Sequence, residues 1–289
     1  MSIATIESPA VARQAAVRKR RLPGLSLIAA TIMLLLVVAL IAVPHFLKGF
    51  DAYTQNLMFS MEGPFQDPAH LLGTDPLGRD LLSRVSVATG VSVVIAFCAV
   101  LISACIGLTV GLVAGWVGGR FDALLMAVGN MQLAIPVILL LIVLVATLGS
   151  SPALLVILLG LTNWVGYGRV VRSQVVSLRE REFITAVTTA GGSGFWVIRR
   201  HLLPNVLPSV LVLAAFDIGV VITIESSLSF MGLGVPPPTP SLGALISEGQ
   251  RYLQTNPTLT LFPALAIFLL VGGIQFASQS LAGRTGRGR

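Results

Sequence analysis

Charge is what this sequence has least of. Only 11% of its 289 residues are Asp, Glu, Lys or Arg, while 55% are hydrophobic, and the mean hydropathy is +0.89. A soluble core of this size needs a far larger polar surface to cover it, so an ordinary soluble domain is excluded. Ligand-type residues are also scarce, with three histidines and two cysteines. His45, His70 and His201 are scattered and form no pair at ligand spacing. Cys98 and Cys105 share one apolar run and read as packing residues, with neither metal nor disulfide spacing. HExxH, GxSxG and the Walker lysine motif are all missing. Gly73 and Gly78 mimic phosphate-loop spacing, but Arg79-Asp80 stands where Lys-Ser/Thr is required, and no buried strand precedes them. These absences argue against an enzyme, and against a cofactor held by this chain. Energy for any work must come from outside it.

What the sequence has in abundance is apolar runs. At ~1.5 Å rise per residue, about 20 apolar residues span the roughly 30 Å hydrocarbon core. Such runs fall near residues 25–47, 92–117, 123–148, 153–168, 204–224 and 257–281. The expectation is an all-α, polytopic membrane protein with six transmembrane helices. The basic start followed by an oily run is too long for a cleaved signal peptide and lacks a small-residue cleavage site. Gly107, Gly111, Gly115 and Gly119 recur every fourth residue, the spacing of a close helix–helix seam in lipid. Pro136 should kink or unwind the third span. Asn130 and Gln132 beside it either line a path through the protein or make interhelical hydrogen bonds. Asp217 sits near the middle of the fifth span, where a carboxylate costs roughly 2.5–3.5 kcal/mol on insertion scales and must face protein or water. It either lines a translocation path or is a hydrogen-bonded structural acid. The proline run in ESSLSFMGLGVPPPTPSLG, residues 225–243, predicts an extended or turned segment. Trp164 and Tyr167 read as interfacial aromatics closing the fourth span.

Charge placement orients the chain. Basic residues cluster in residues 1–22, in the link from Tyr167 to His201, and after Ala282, giving about +4, +4 and +3. The links 49–86 and 225–256 come to about −3 and −1. Clusters on alternate links are the positive-inside pattern and not the single stripe of a nucleic-acid binder. The expected division is a basic cytoplasmic tail 1–22, a first transmembrane helix 23–48, an extracytoplasmic loop 49–86, a core 87–281 with a cytoplasmic loop 169–203, and a basic tail 282–289. In the 49–86 loop, Asp75 or Asp80 can cap a short helix or pair with Arg79 or Arg84.

The most charged link contains REREFITAVTTAGGSGFWVIRRHLLPN, with six arginines against two glutamates between Tyr167 and His201. Phe183, Ala186, Val187 and Ala190 fall at helical spacing, and Gly191-Gly192 should end or bend that helix. A short amphipathic helix against a membrane helix suits docking to a soluble partner. Ala186, Gly191, Leu203 and Pro204 match the loop signature of ABC importer permeases, an EAA triplet, a following glycine and a Leu-Pro pair. Thr185 and Val187 depart from the triplet. The wider string from Glu182-Phe183 to His201-Leu202-Leu203-Pro204 resembles the peptide and nickel importer branch. The string LGTDPLGRD resembles a stretch of the second, C-type permease of that branch. ESSLSFMGLGV resembles a string carried by permeases of the branch, with Leu242 beyond it in place of the usual tryptophan. The resemblance implies that Glu182, Phe183, Ala186, Val187, Gly191, His201, Leu203 and Pro204 belong to a coupling loop seated on an ATPase subunit. It also implies a second permease, two ATPase subunits binding ATP and Mg, an extracytoplasmic substrate-binding protein, and a bacterial cytoplasmic membrane with both termini inside. Short peptides are the expected cargo, with nickel or glutathione as alternatives. An ion-coupled carrier using Asp217 is the rival reading, and it lacks further intramembrane ionisable partners.

Overall fold

The computed structural model describes residues 23–46 and 50–285. The basic segments at 1–22 and 286–289 lie outside the described residues. No strand is present among the described residues, as expected of an all-α chain. The helices are α1 (Pro23–Ala42), α2 (Leu81–Val117), α3 (Gly119–Leu133), α4 (Val137–Leu148), α5 (Pro152–Thr162), α6 (Trp164–Arg179), α7 (Glu182–Thr189), α8 (Gly194–Val197), α9 (Leu203–Phe230), α10 (Leu242–Gln250) and α11 (Thr258–Thr285). A π-helical stretch, Ile198–Leu202, joins α8 to α9 without a break. Five of the resulting helices are long and apolar enough to cross a membrane. α3 and α4, bent by 80° at their break, pass the same test only together, which brings the number to six when the pair is counted as one span. Pro136 explains the bend, since it stands at the break and gives no amide hydrogen to continue α3.

Three boundaries differ from the sequence expectation, each for a local reason. The second span starts at Leu81, not near Ser92, because Asp80 caps it, accepting the Ser83 amide at 2.7 Å. The fourth runs from Pro152 to Arg179 with a break at Asn163, well past the expected end near residue 168, so Arg169 and Arg172 lie within α6. The fifth runs from Gly194 to Phe230, not from Pro204 to Ile224. Its ladder loses two amide donors at Pro204 and Pro208, and the π stretch lies directly before the first of them. Glu225–Phe230 therefore continue a helix, and the turned segment begins only at Met231.

The helix α2, roughly 55 Å long at 1.5 Å per residue, is the central mast. In lipid there is little hydrophobic drive between helices, so close packing of small residues must hold them. Gly107, Gly111 and Gly115 supply it against α6. A Cβ on Gly111 would lie 2.7 Å from the Gly168 oxygen and from Val171 Cβ, and one on Gly115 would lie 2.7 Å from Val175 Cβ. The Cβ of Tyr167 likewise blocks any side chain at Gly107. Gly119 takes no part in the seam. It lies in the turn into α3 with φ +60° and nothing nearby. Trp164 and Tyr167 are buried in the bundle, 9% and 1% exposed, and not interfacial. The buried side of α6 includes Trp164, Tyr167, Val171, Val175 and Leu178, so the two aromatics fall on the packed stripe.

Candidate functional site

Three polar places stand out against this apolar scaffold. The first is α7 with its surroundings, at the end of the bundle where α2 finishes. Ile184 is 1% exposed and shares one apolar cluster with Leu112 of α2, Val175 and Leu178 of α6, Val197 of α8, and Val206 and Val210 of α9. Val187 packs partly against the same cluster. The other side of α7 is bare, with Glu182, Phe183, Thr185, Ala186, Thr189 and Ala190 all exposed. The apolar stripe expected from spacing thus splits, because the inward face is Ile184–Val187 and Phe183, Ala186 and Ala190 look outward. Gly191 ends the helix with φ +89°, a left-handed conformation that suits glycine. The ring of His201 sits 5.1 Å from Trp196 and 6.0 Å from Phe183, tying the π stretch to α7 and α8. Leu203 packs partly on the cluster, and Pro204 is exposed. Arg179 donates to the Trp116 carbonyl at 2.7 Å, and Gly194 leaves room for the Trp116 ring. The α7 platform is therefore braced on the end of α2 as well.

The second place is a set of polar links between the membrane helices, from the exposed Asn130 to Asp217. Asn130, Gln132 and Asp217 all make interhelical hydrogen bonds. Arg169 donates to Asn130 at 2.7 Å, and Trp164 donates to Gln132 at 2.9 Å. Gln132 itself donates to the Thr162 carbonyl at 2.7 Å. With the bidentate Arg172–Asp122 pair, both bonds at 2.6 Å, these clamps hold α3, which buries only Gly129. Asp217 accepts from the Tyr167 hydroxyl at 3.0 Å, joining α9 to α6. Sequence reading passed over a second acid on the same helix. Glu225 is fully buried, and it accepts from Ser229 at 2.7 Å and from Ser92 of α2 at 2.9 Å. Its only sequence signal is the run of serines around it, and the neighbouring prolines obscured that it is helical.

The third place is the opposite end, where the string Gly73–Arg84 folds over the start of α2. Asp75 is its hub. One oxygen accepts from Arg79 Nε at 2.6 Å and Arg84 Nη1 at 2.5 Å, and the other accepts the Leu77 and Arg79 amides. Arg84 also donates to Glu248 of α10 at 2.9 Å. Gly73 and Gly78 turn the loop with positive φ and allow the backbones of Glu62 and Asn56 to pass against them. Thr74 is held by Phe59 and Glu62. Both open readings of the acids are realised together, Asp80 as the cap and Asp75 as the ion-pair partner.

Residues 107–284, which include the glycine seam, α7 and all of α9, match the family described as "Binding-protein-dependent transport system inner membrane component". The chain belongs to that family. It is a permease subunit of an ABC importer, of the peptide and nickel branch. The permease is 39% identical over 215 residues to the nickel transport system permease protein NikC of Escherichia coli K12, covering 74% of this chain and 78% of that one. It is 33% identical over 254 residues to the oligopeptide transport system permease protein OppC of Haemophilus influenzae, covering 88% and 82%. It is 35% identical over 245 residues to the glutathione transport system permease protein GsiD of Pectobacterium atrosepticum, covering 84% and 81%. Among solved structures, a chain of the MetNI methionine ABC transporter in an inward-facing conformation matches with a TM-score of 0.49 at 20% identity, over 69% of the permease and 93% of that chain.

Proposed function

We propose that the permease imports short peptides, pairs with a second, related permease, and receives the force of ATP hydrolysis through α7. The observation that carries the reading is the two-sidedness of α7. Its inner face is Ile184 in a cluster shared with α2, α6 and α9, and its outer face is uncovered. A push on the outer face therefore reaches the spans that α7 is packed into, since close-packed interiors transmit displacement. Six arginines lie on or beside this platform between Tyr167 and His201, and that positive charge supports a cytoplasmic position for it. The basic charge of the flanking segments supports the same side for both termini, in a bacterial cytoplasmic membrane. ATP and Mg belong to the two partner ATPase subunits, and the chain itself catalyses nothing. An extracytoplasmic binding protein delivers cargo to the end bearing Asp75 and α10. Peptide is the chemistry shared by most of the named relatives, glutathione being itself a tripeptide.

The chain is to be reconstituted with its second permease and ATPase subunits in proteoliposomes, with the binding protein outside. Uptake of a labelled tripeptide is expected to require both ATP and the binding protein. Uptake of nickel ion without peptide would refute the cargo. Uptake that ignores ATP and collapses with the proton gradient would refute the coupling.

A further inference from the structure

At the end of the bundle opposite α7 lies a cleft of about 660 Å³ that the force path leaves unused. Its size falls within the roughly 300–1,000 Å³ of small-ligand sites. One wall is the proline run Pro236–Pro240, one is the loop around Leu77, and one is α10. Prolines hold φ fixed, so a ligand against that wall freezes little backbone.

The charges of the cleft are unevenly committed. Three guanidiniums line it, Arg79, Arg84 and Arg251. Both oxygens of Asp75 are taken by Arg79, Arg84 and backbone amides. Glu248 shares Oε2 between Arg84 at 2.9 Å and Arg79 at 3.7 Å, while the side chain stays 48% exposed and Oε1 is not paired among the described residues. Arg84 Nε is buried without a partner, and Arg251 is exposed and makes no ion pair among the described residues. Glu248 and Arg251 are three residues apart, and Arg251 keeps helical geometry as the cap of α10. At that spacing two side chains share a face. The cleft therefore offers, side by side, an unspent cation and a half-free carboxylate above apolar walls.

We propose that this cleft binds the free termini of a short peptide, Arg251 taking the carboxylate and Glu248 the ammonium group, before the peptide enters the bundle. A di- or tripeptide reaches roughly 7–11 Å when extended, which suits two flexible side chains one helical turn apart. The assignment rests on the peptide reading above. It makes the permease a second checkpoint for cargo with both termini free.

The test is equilibrium binding of labelled tri-L-alanine to the complete importer in nanodiscs, with no binding protein added. Saturable binding is expected, weakened at least tenfold by amidating the carboxyl terminus, by acetylating the amino terminus, or by Arg251→Gln. Arg251 is exposed and bonds to nothing described, so the variant should assemble normally, which its recovery in the complex checks. Absence of saturable binding, or equal binding by Arg251→Gln and by the amide, would overturn the proposal. Arg251→Gln that lowers affinity for the binding protein while leaving trialanine binding intact would also overturn it, and would make the cleft a docking site instead. Uptake of the same peptide with the binding protein is measured in parallel. Uptake without cleft binding sinks the cleft alone, whereas no uptake by the unmodified importer sinks the cargo reading.

Discussion

Replacing Glu182 by Arg is expected to strip the ATPase subunits from the importer and cut ATP-driven uptake at least tenfold, while the amount of permease in the membrane changes less than twofold. Glu182 is exposed and makes no ion pair or side-chain hydrogen bond in the described chain, so its loss costs the fold little. A reversed charge in a docked interface commonly removes 2 kcal/mol or more, about a factor of 30 in affinity. Ala186→Arg should act in the same way, through bulk. Gly191→Val separates docking from transmission. Valine at φ +89° is strained by about 1–3 kcal/mol, so the helix end must move while its outer face survives. The expected result is ATPase subunits retained but uptake lost. Co-purification, ATP hydrolysis and uptake, measured together on the three variants, check this.

Asp75→Ala is expected to lower the amount of assembled permease at least tenfold, with no selective defect in the little that remains. The carboxylate is 3% exposed and Arg84 beside it 4% exposed. Removing one partner of a buried pair leaves a charge uncompensated and costs about 3–5 kcal/mol, a large share of the ~5–15 kcal/mol that holds a typical domain together. Two backbone amides lose their acceptor as well. Asp75→Asn keeps an acceptor for the amides without the charge and should fall between. Quantitative blotting of membrane fractions, with thermal unfolding of the purified chain, reads the effect. Normal levels and an unchanged melting temperature for Asp75→Ala would show that the hub is not structural.

The two outcomes differ because Glu182 is exposed and Asp75 is buried in an ion pair, and the two regions were also legible in the sequence to different degrees. The existence, length and end of α7 could be read from spacing and from Gly191-Gly192, since a short amphipathic helix between glycines has few alternatives. Which face turns inward could not be read. Ile184 and Phe183 are both apolar, and only the cluster formed by α2, α6 and α9 selects Ile184. The glycine seam was legible because four-residue spacing of small residues has one main use in lipid, yet Gly119 shared the spacing for another reason, its positive φ. Trp164 and Tyr167 misled because an aromatic near the apparent end of an apolar run resembles an interfacial anchor. The helix in fact continues past them to Arg179. Asp217 was visible as an isolated acid, whereas Glu225 was hidden by the prolines that follow it. The loop Gly73–Arg84 could be seen as a compact constellation, but its partner Glu248 lies 164 residues beyond Arg84, a pairing no local pattern carries.

The docking of α7 on an ATPase subunit is most directly tested by a photo-crosslinking amino acid placed at Ala186 in native membranes, with Leu77 at the other end of the bundle as the reference position. Both side chains are exposed, so the probe should be tolerated at each. A crosslink from position 186 to the ATP-hydrolysing subunit, and none from position 77, is expected. Capture of that subunit from position 77, or lipid alone from position 186 while uptake remains normal, would contradict the assignment of α7 as the surface that receives the force.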